Sequence, residues 1–437
     1  MPEVTESARS LVAQRLVRRV KWFPDLPLDA FDTSSLSPRD AGLANAIDHA
    51  VARRWLTMRA VVEHFLSRPW DNTEPHMQAI LLSGAAQLLL LDRLPDHAVI
   101  NESVEWAKRA VRPKAGGMVN AILRKVAGVR DELVDTHDPA RRDELPRSDG
   151  GAWRLRENVF SDDELTRHAA QLSIPRPLLA HWISALGRDA ALQLGRHGLI
   201  VPPIIVSGID DDSIGPAHMQ PGFRVYDGVI EDLGRVLAAQ PGARVQDPSS
   251  AQPVELTRTI LPKCIMDVCA GQGTKTSQLA RMHPNARIIA TDIDDARRKV
   301  LRTTFANNDR ITIVEPGDLH NHNGQADLLL LDVPCSNTGV LARRVEARYR
   351  WREETIDQLV GVQRQIIADT IPLLAPNGHL LYATCSIEPA ENAKQTAWIR
   401  EWHPFTEVAV ASRWPSGQPG DAPTTYSDGS YAALLVR

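Results

Sequence analysis

The sequence predicts a multidomain protein: an all-α N-terminal domain, a small α+β middle segment, and a C-terminal α/β domain on a parallel, doubly wound sheet. Three observations predict it. Apolar residues recur at helical spacing through roughly the first 130 residues, a charged aperiodic stretch follows, and from Lys263 short β-rich apolar runs alternate with helical stretches. At 437 residues the chain is too long for one compact core, so two or three domains are expected.

In the N-terminal part, "SPRDAGLANAIDHAVARRW" offers Ser37 as N-cap, Pro38 at the first helical position and Asp40 at capping-box spacing. Leu43, Ala46, Ile47, Ala50 and Val51 then mark one helix face. Further helices are expected near 57–68, 75–91, 97–112 and 116–127, separated by Pro and Gly signals. Residues 1–135 therefore read as a helical domain. "DELVDTHDPARRDELPRSDGG" is charged and without periodicity, so 136–159 are assigned to a linker. Residues 160–255 mix helices ("SDDELTRHAAQL", "RPLLAHWISAL") with short strands ("PPIIVSG", "FRVYDG"). In 256–437 the runs "CIMDVCAG", "ARIIATD", "RITIVEP", "DLLLLD" and "HLLYATC" are the strands, and ligands of such sheets bind at the strands' carboxyl ends.

Composition narrows the class. No apolar run approaches the twenty or so residues of a membrane span, and the N-terminus carries early acids instead of a signal-peptide core. Four cysteines without a CxxC pair point to free thiols in a reducing compartment, the cytoplasm. A monomer is expected. Net charge is only −4, but two local clusters are basic. Lys108 to Lys125 holds Lys108, Arg109, Arg112, Lys114, Arg124 and Lys125 with no acid; Arg343 to Arg352 holds five arginines, including Arg343 and Arg344, with Tyr349 and Trp351. Such patches suit phosphates and unstacked bases, although each also fits a solvated helix face.

The candidate chemistry lies at strand ends. "DVCAGQGTKT" (Asp267 to Thr276) ends the first strand, and Gly271 and Gly273 permit a tight turn against a ligand at the next helix N-terminus. Asp292, some twenty residues on, is placed to accept from ribose hydroxyls. NAD and S-adenosylmethionine (AdoMet) both fit this pattern, and Thr276 where a third Gly or Ala would stand weakens NAD. Asp318 and Asp332 are read as ending two more strands. Lys275, a cation opposing the helix dipole in a first turn, calls for a partner in the site. Cys264 reads as a small buried hydrophobe, whereas Cys335 and Cys385 stand at strand exits where thiols face a cleft. "HNHN" (His320 to Asn323) lacks a third ligand and reads as a polar loop, so no metal is expected.

Taken together, "DVCAGQGTKT", "LLLLDVPCSNTG" and "YATCSIEPAEN" resemble the RsmB/NOP2/Sun family of RNA 5-methylcytosine methyltransferases. "VQDPSSAQ" looks like that family's lead-in to its AdoMet domain, and "LLLLDRLPDHAVINESVEWAKR" with "MVNAILRKV" looks like the NusB-like N-terminal domain of its RsmB branch, which modifies small-subunit (16S) ribosomal RNA. The resemblance implies a Rossmann-like AdoMet-dependent methyltransferase domain behind a NusB-like RNA-binding domain. It implies Cys385 as nucleophile toward cytosine carbon 6, Cys335 as the group assisting product release, and Asp332 as a hydrogen-bond partner of the ring near N3. The positions matching the AdoMet site are Cys269, Ala270, Gly271, Gln272, Gly273, Thr274, Lys275, Asp292, Asp318 and Asp332. Where the family usually shows a Pro and a double Gly, this chain has Gln272, Gly273 and Thr274. RNA contacts are expected from Arg343, Arg344, Lys108, Arg109, Arg124 and Lys125. Ribosomal RNA is the favoured substrate and transfer RNA the alternative; the competing class is a non-catalytic RNA-binding or ribosome assembly factor that keeps the fold.

Overall fold

A computed structural model describes residues 7–209, 212–240 and 242–437. The chain forms two compact units, one comprising the chain to Val201 with Leu341–Arg350 and Gln418–Asp421, the other comprising Pro202–Val340, Trp351–Gly417 and Ala422–Arg437.

The first unit is helical where the periodicity requires it. Its helices run Ala8–Trp22, Pro38–Arg53, Trp55–Phe65, Pro75–Leu90, Asp96–Ala110 and Ala115–Gly128. Ser37 caps as expected, its hydroxyl oxygen accepting from Asp40 N–H at 3.2 Å. Pro75–Leu90 is buried continuously from Met77 to Leu89, the mark of a helix surrounded by others. Its Gly84 lets the Ala115–Gly128 helix approach: a Cβ there would stand 2.6 Å from Leu123 Cδ1. Three further helices, Glu164–Leu172, Arg176–Leu186 and Arg188–His197, follow.

Three expectations fail here, the first being that 160–255 form one segment: its three helices join the first unit and its strands, from Ile205 on, the second. The stretch assigned to a linker instead contributes to a three-stranded antiparallel sheet of Arg130–Val134, Glu144–Pro146 and Ala152–Leu155. Its charges hide the pattern because they pair across strands: Arg154 bridges Glu132 at 2.7 Å and the buried Glu144 at 3.1 Å. The Arg343–Arg352 cluster is likewise not one open basic patch. Arg348 is fully buried, donating to the carbonyls of Gly198 (2.9 Å) and Leu341 (2.7 Å), and the buried Tyr349 hydroxyl donates to Ala52 O at 2.8 Å. Those two side chains knit the helical unit; Arg343 and Arg344 stay exposed.

In the second unit, Ile205–Ser207 is the centre of a small antiparallel sheet with Phe223–Val225 and Arg244–Val245. Beyond it lies a seven-stranded sheet whose strands we number β1 (Cys264–Asp267), β2 (Arg287–Ala290), β3 (Ile311–Ile313), β4 (Ala326–Asp332), β5 (Leu374–Thr384), β6 (Thr406–Arg413) and β7 (Ser430–Val436). Their order is β6-β7-β5-β4-β1-β2-β3, with β1 to β5 parallel and β7 antiparallel to both neighbours. The order reverses direction between β1 and β4, which puts a ligand crevice at their carboxyl ends. Leu328 to Leu331 of β4 are fully buried, explaining why that strand reads as a continuous apolar run.

Candidate active site

Registry alone brings the two cysteines together. β4 and β5 are parallel neighbours with Asp332 opposite Ala383, and Val333 N–H donates to Ala383 O at 3.1 Å, so both strands leave the sheet side by side. Cys335 follows three residues after Asp332 and Cys385 directly after Thr384; their Sγ atoms lie 3.2 Å apart. Gly339 seals the arrangement from behind, donating its N–H to Cys385 O at 3.0 Å. A Cβ on Gly339 would stand 2.8 Å from that same oxygen.

A buried carboxylate fastens both loops. Glu391 accepts from Ser336 N–H (2.9 Å), the hydroxyls of Ser336 and Ser386, and Gln363 Nε2 (3.0 Å). Each serine directly follows a cysteine. Asn392 closes the other half, accepting from Thr384 Oγ1 at 2.6 Å and donating to Ser386 O at 2.8 Å, so it spans Cys385. Burial holds the Glu391 carboxyl above the usual range against these donors. Asn337, in left-handed backbone at φ 60°, donates to Cys335 O (2.8 Å) while its Oδ1 accepts from the Cys385 thiol at 3.3 Å. Replacing Glu391 by Ala strands four donors and frees the loops. We expect kcat to fall about 100-fold, as a misplacement near 1 Å does, with AdoMet affinity retained; single-turnover kinetics beside calorimetry check this.

On the β1 side, Lys275 Nζ lies 2.6 Å from Asp332 Oδ2, the partner its position at a helix start called for. Burial alone would depress the ammonium, but Asp332 and the charge of Cys385 more than offset it, and it is held above its ordinary value. Cys335 is pushed well up, first by its hydrogen bond with Cys385, then by burial and the neighbouring negative charge. It therefore stands as a neutral thiol beside the Cys385 sulphur.

The loop after β1 fits a cofactor. Gly271 and Gly273 adopt φ of 57° and 89°; a Cβ on Gly273 would lie 2.7 Å from Phe305, whereas the space beside Gly271 is open. Asp292 is buried and accepts from Gly271 N–H at 2.9 Å, so it holds the loop as well as facing it. Asp267 is buried, with Oδ2 taken by the Thr276 hydroxyl at 2.7 Å and Oδ1 without a partner. An orphaned acceptor beneath a glycine turn suits the ammonium of an amino-acid-bearing cofactor such as AdoMet. Asp318 departs from expectation: β3 ends at Ile313, and Asp318 is exposed in the 3₁₀ turn Pro316–His322 because Pro316 ends the strand pattern early. The same turn carries His320, whose ring bonds Gly317 O at 2.7 Å. No cluster of three or more metal-ligating side chains occurs among the described residues.

Burial, chiefly, raises Asp267 to about 7. Its unfolded value is near 4, so the folded state holds an extra proton between pH 4 and 7 and loses stability as pH rises through that window. Asp267→Asn is expected to remove a slope of about 1 kcal/mol per pH unit there. Urea unfolding of the AdoMet-free protein across that window measures it, and an unchanged slope contradicts the assignment.

Of the expected RNA contacts, Arg109, Arg124 and Lys125 are exposed, while Lys108 pairs with Glu105 at 2.6 Å. No helix of the described residues is long and apolar enough to cross a membrane.

Comparison with known proteins shows which families the chain resembles. Residues 260–418 match the model of the family described as 16S rRNA methyltransferase RsmB/F, and residues 7–128 that of the NusB family. Ribosomal RNA small subunit methyltransferase B of Xanthomonas campestris is 30% identical over 375 residues, covering 82% of this chain and 79% of the relative. The protein of the same name from Klebsiella pneumoniae is 28% identical, covering 98% of both. In fold, the chain is similar to the crystal structure of PH0851 (TM-score 0.71, 17% identity, 98% and 99% covered). It is also similar to that of a methyltransferase homolog protein from Pyrococcus horikoshii (TM-score 0.50, 18% identity, 63% and 100% covered).

Proposed function

The chain belongs to the RsmB/F family of 16S rRNA methyltransferases, and from that premise we propose that it methylates carbon 5 of a cytosine in small-subunit ribosomal RNA through a covalent adduct on Cys385. The observation that carries this reading is the pair of sulphurs 3.2 Å apart beside the Lys275–Asp332 ion pair. Carbon 5 of cytosine is too weak a nucleophile to take a methyl group unaided, and thiolate addition at carbon 6 makes it electron-rich. AdoMet supplies the electrophilic methyl group when bound, and the residues fitted to hold it are the Cys269–Lys275 loop, Asp267 and Asp292.

Cys385 forms the bond to carbon 6. Asp332, fixed by Lys275, bonds the ring near N3 where charge changes as the adduct forms. Lys275, whose ammonium is raised in part by the charge of Cys385, sets a cation beside the attacking sulphur. Once the Cys385 sulphur becomes a neutral thioether, its hydrogen bond and charge no longer raise Cys335, and burial and Glu391 are what remain. Having passed its own proton to solvent, Cys335 is the group placed to take the carbon 5 proton, and the electron pair of that C–H bond re-forms the ring double bond as the Cys385 sulphur is expelled. The target nucleotide must be unpaired or flipped to reach both sulphurs. Arg343, Arg344, Lys108, Arg109, Arg124 and Lys125 supply contacts to the RNA backbone.

The test is product identity. The protein with labelled AdoMet is given protein-free small-subunit ribosomal RNA, assembled subunits or transfer RNA, and nucleosides are separated after digestion. Label in 5-methylcytidine from ribosomal RNA is expected. Label from transfer RNA alone would move the substrate, and label in another nucleoside would overturn the mechanism.

A further inference from the structure

The second unit holds a cluster of arginines that this chemistry does not use. Arg244, Arg281 and Arg310 line a concavity of about 330 Å³ with Ser277 and Asn308. Arg281 is the penultimate residue of the helix Thr274–Met282, whose start carries Lys275, and Arg310 immediately precedes β3. The concavity therefore opens toward the amino ends of the strands, about 9 Å along the helix from Lys275.

The two outer guanidiniums are forced together. Arg281 and Arg244 both donate to the carbonyl of Gly242, and Arg244 Nε also donates to Gln246 at 2.6 Å. Gly242 and Gly208 take φ of 93° and 78°, and a Cβ on Gly208 would stand 2.6 Å from Arg281 Nη1, so both turns close on that side chain. Arg310 is engaged structurally, donating to the carbonyls of Ala280 (3.1 Å) and Ala286 (3.1 Å), and adds charge from the far wall. Among the described residues, no carboxylate pairs with any of the three within 4.0 Å. The nearby Glu255 is already engaged by Gln278 at 3.0 Å and by Arg258. Burial, with the repulsion of Arg281, lowers Arg244 to about 10. Glu255 acts on Arg244 and Arg281 through space but is shared with Arg258, so the three guanidiniums keep an excess of positive charge that an anion stabilises. The lining offers guanidinium, hydroxyl and amide groups but no aromatic surface, which suits a phosphate and not a base.

We propose that Arg244 and Arg281 bind a backbone phosphodiester of the RNA substrate, on the opposite edge of the sheet from the cysteines. This rests on the RNA reading above. A strand that presents one base to the strand ends carries phosphates on either side of it, and these are held by charge alone.

The test compares wild-type protein, Arg244→Gln/Arg281→Gln and Arg244→Lys/Arg281→Lys in binding a small-subunit ribosomal RNA transcript over a range of salt. Each lost phosphate contact reduces the slope of log K against log salt by about 0.7 to 0.9. The Gln variant is expected to lose about 0.7 to 0.9 units of slope and about tenfold in affinity near 0.1 M salt, with AdoMet affinity unchanged by calorimetry. The Lys variant keeps the wild-type slope. Equal slopes in the wild-type and Gln proteins would overturn the proposal, as would equal losses in the Gln and Lys variants with lowered melting temperatures. Submillimolar, saturable binding of inorganic phosphate that the Gln variant loses would assign the site to a free anion and overturn it too. If wild-type protein neither binds nor methylates the transcript, the RNA reading itself fails, which is a distinct result.

Discussion

Cys385→Ala abolishes methyl transfer, kcat falling roughly 10⁴-fold or more, because no other group is placed to make the bond at carbon 6. Cys335 cannot substitute for it. Burial and the nearby Glu391 still raise its thiol when Cys385 is gone, and its loop is anchored through Ser336 to Glu391. The loss should appear in kcat and not in cofactor binding, since the AdoMet loop lies after β1 and Cys385 after β5. Tritium release from [5-³H]cytosine in the RNA, with calorimetry for AdoMet, separates the two. A variant that kept a tenth of the wild-type rate would remove Cys385 from the mechanism.

Much of this site was legible in the sequence because it depends on two local regularities. Short apolar runs ending in Asp or Thr fix where strands stop, and parallel strands present their ligands at those stops. Cys335 and Cys385 therefore had to emerge at one edge, and the structure places them 3.2 Å apart. Lys275 announced a partner by sitting against a helix dipole, and the partner is Asp332. Glu391 and Asn392 were visible as letters of "EPAEN" but not as a clamp, because their work depends on two loops fifty residues apart in the chain meeting. Asn337 carried a faint signal, an Asn before Thr-Gly in a loop, which favours left-handed backbone. The misread stretches share one cause. Between 130 and 155, and again at Arg348 and Tyr349, charged or polar side chains are buried by partners distant in sequence, and periodicity registers only apolar burial. Asp318 was displaced by a shorter strand than its apolar run suggested, a boundary set by Pro316.

Cys335→Ala is expected to do something different from the loss of Cys385: it should let the adduct form and stop it from resolving. In the wild-type protein the release step needs a base near carbon 5 while Cys385 is bonded at carbon 6. The sulphur 3.2 Å from the nucleophile is the group at that place. Ala keeps the small apolar volume and removes the proton acceptor, so the methylated base remains attached with turnover reduced by about two to four orders of magnitude. The decisive measurement is denaturing gel electrophoresis of Cys335→Ala after incubation with AdoMet and small-subunit ribosomal RNA. The account predicts a slow-migrating protein–RNA band that carries the AdoMet methyl label and disappears when Cys385→Ala is added. A Cys335→Ala protein that turns over at the wild-type rate, or a band that survives loss of Cys385, would contradict it.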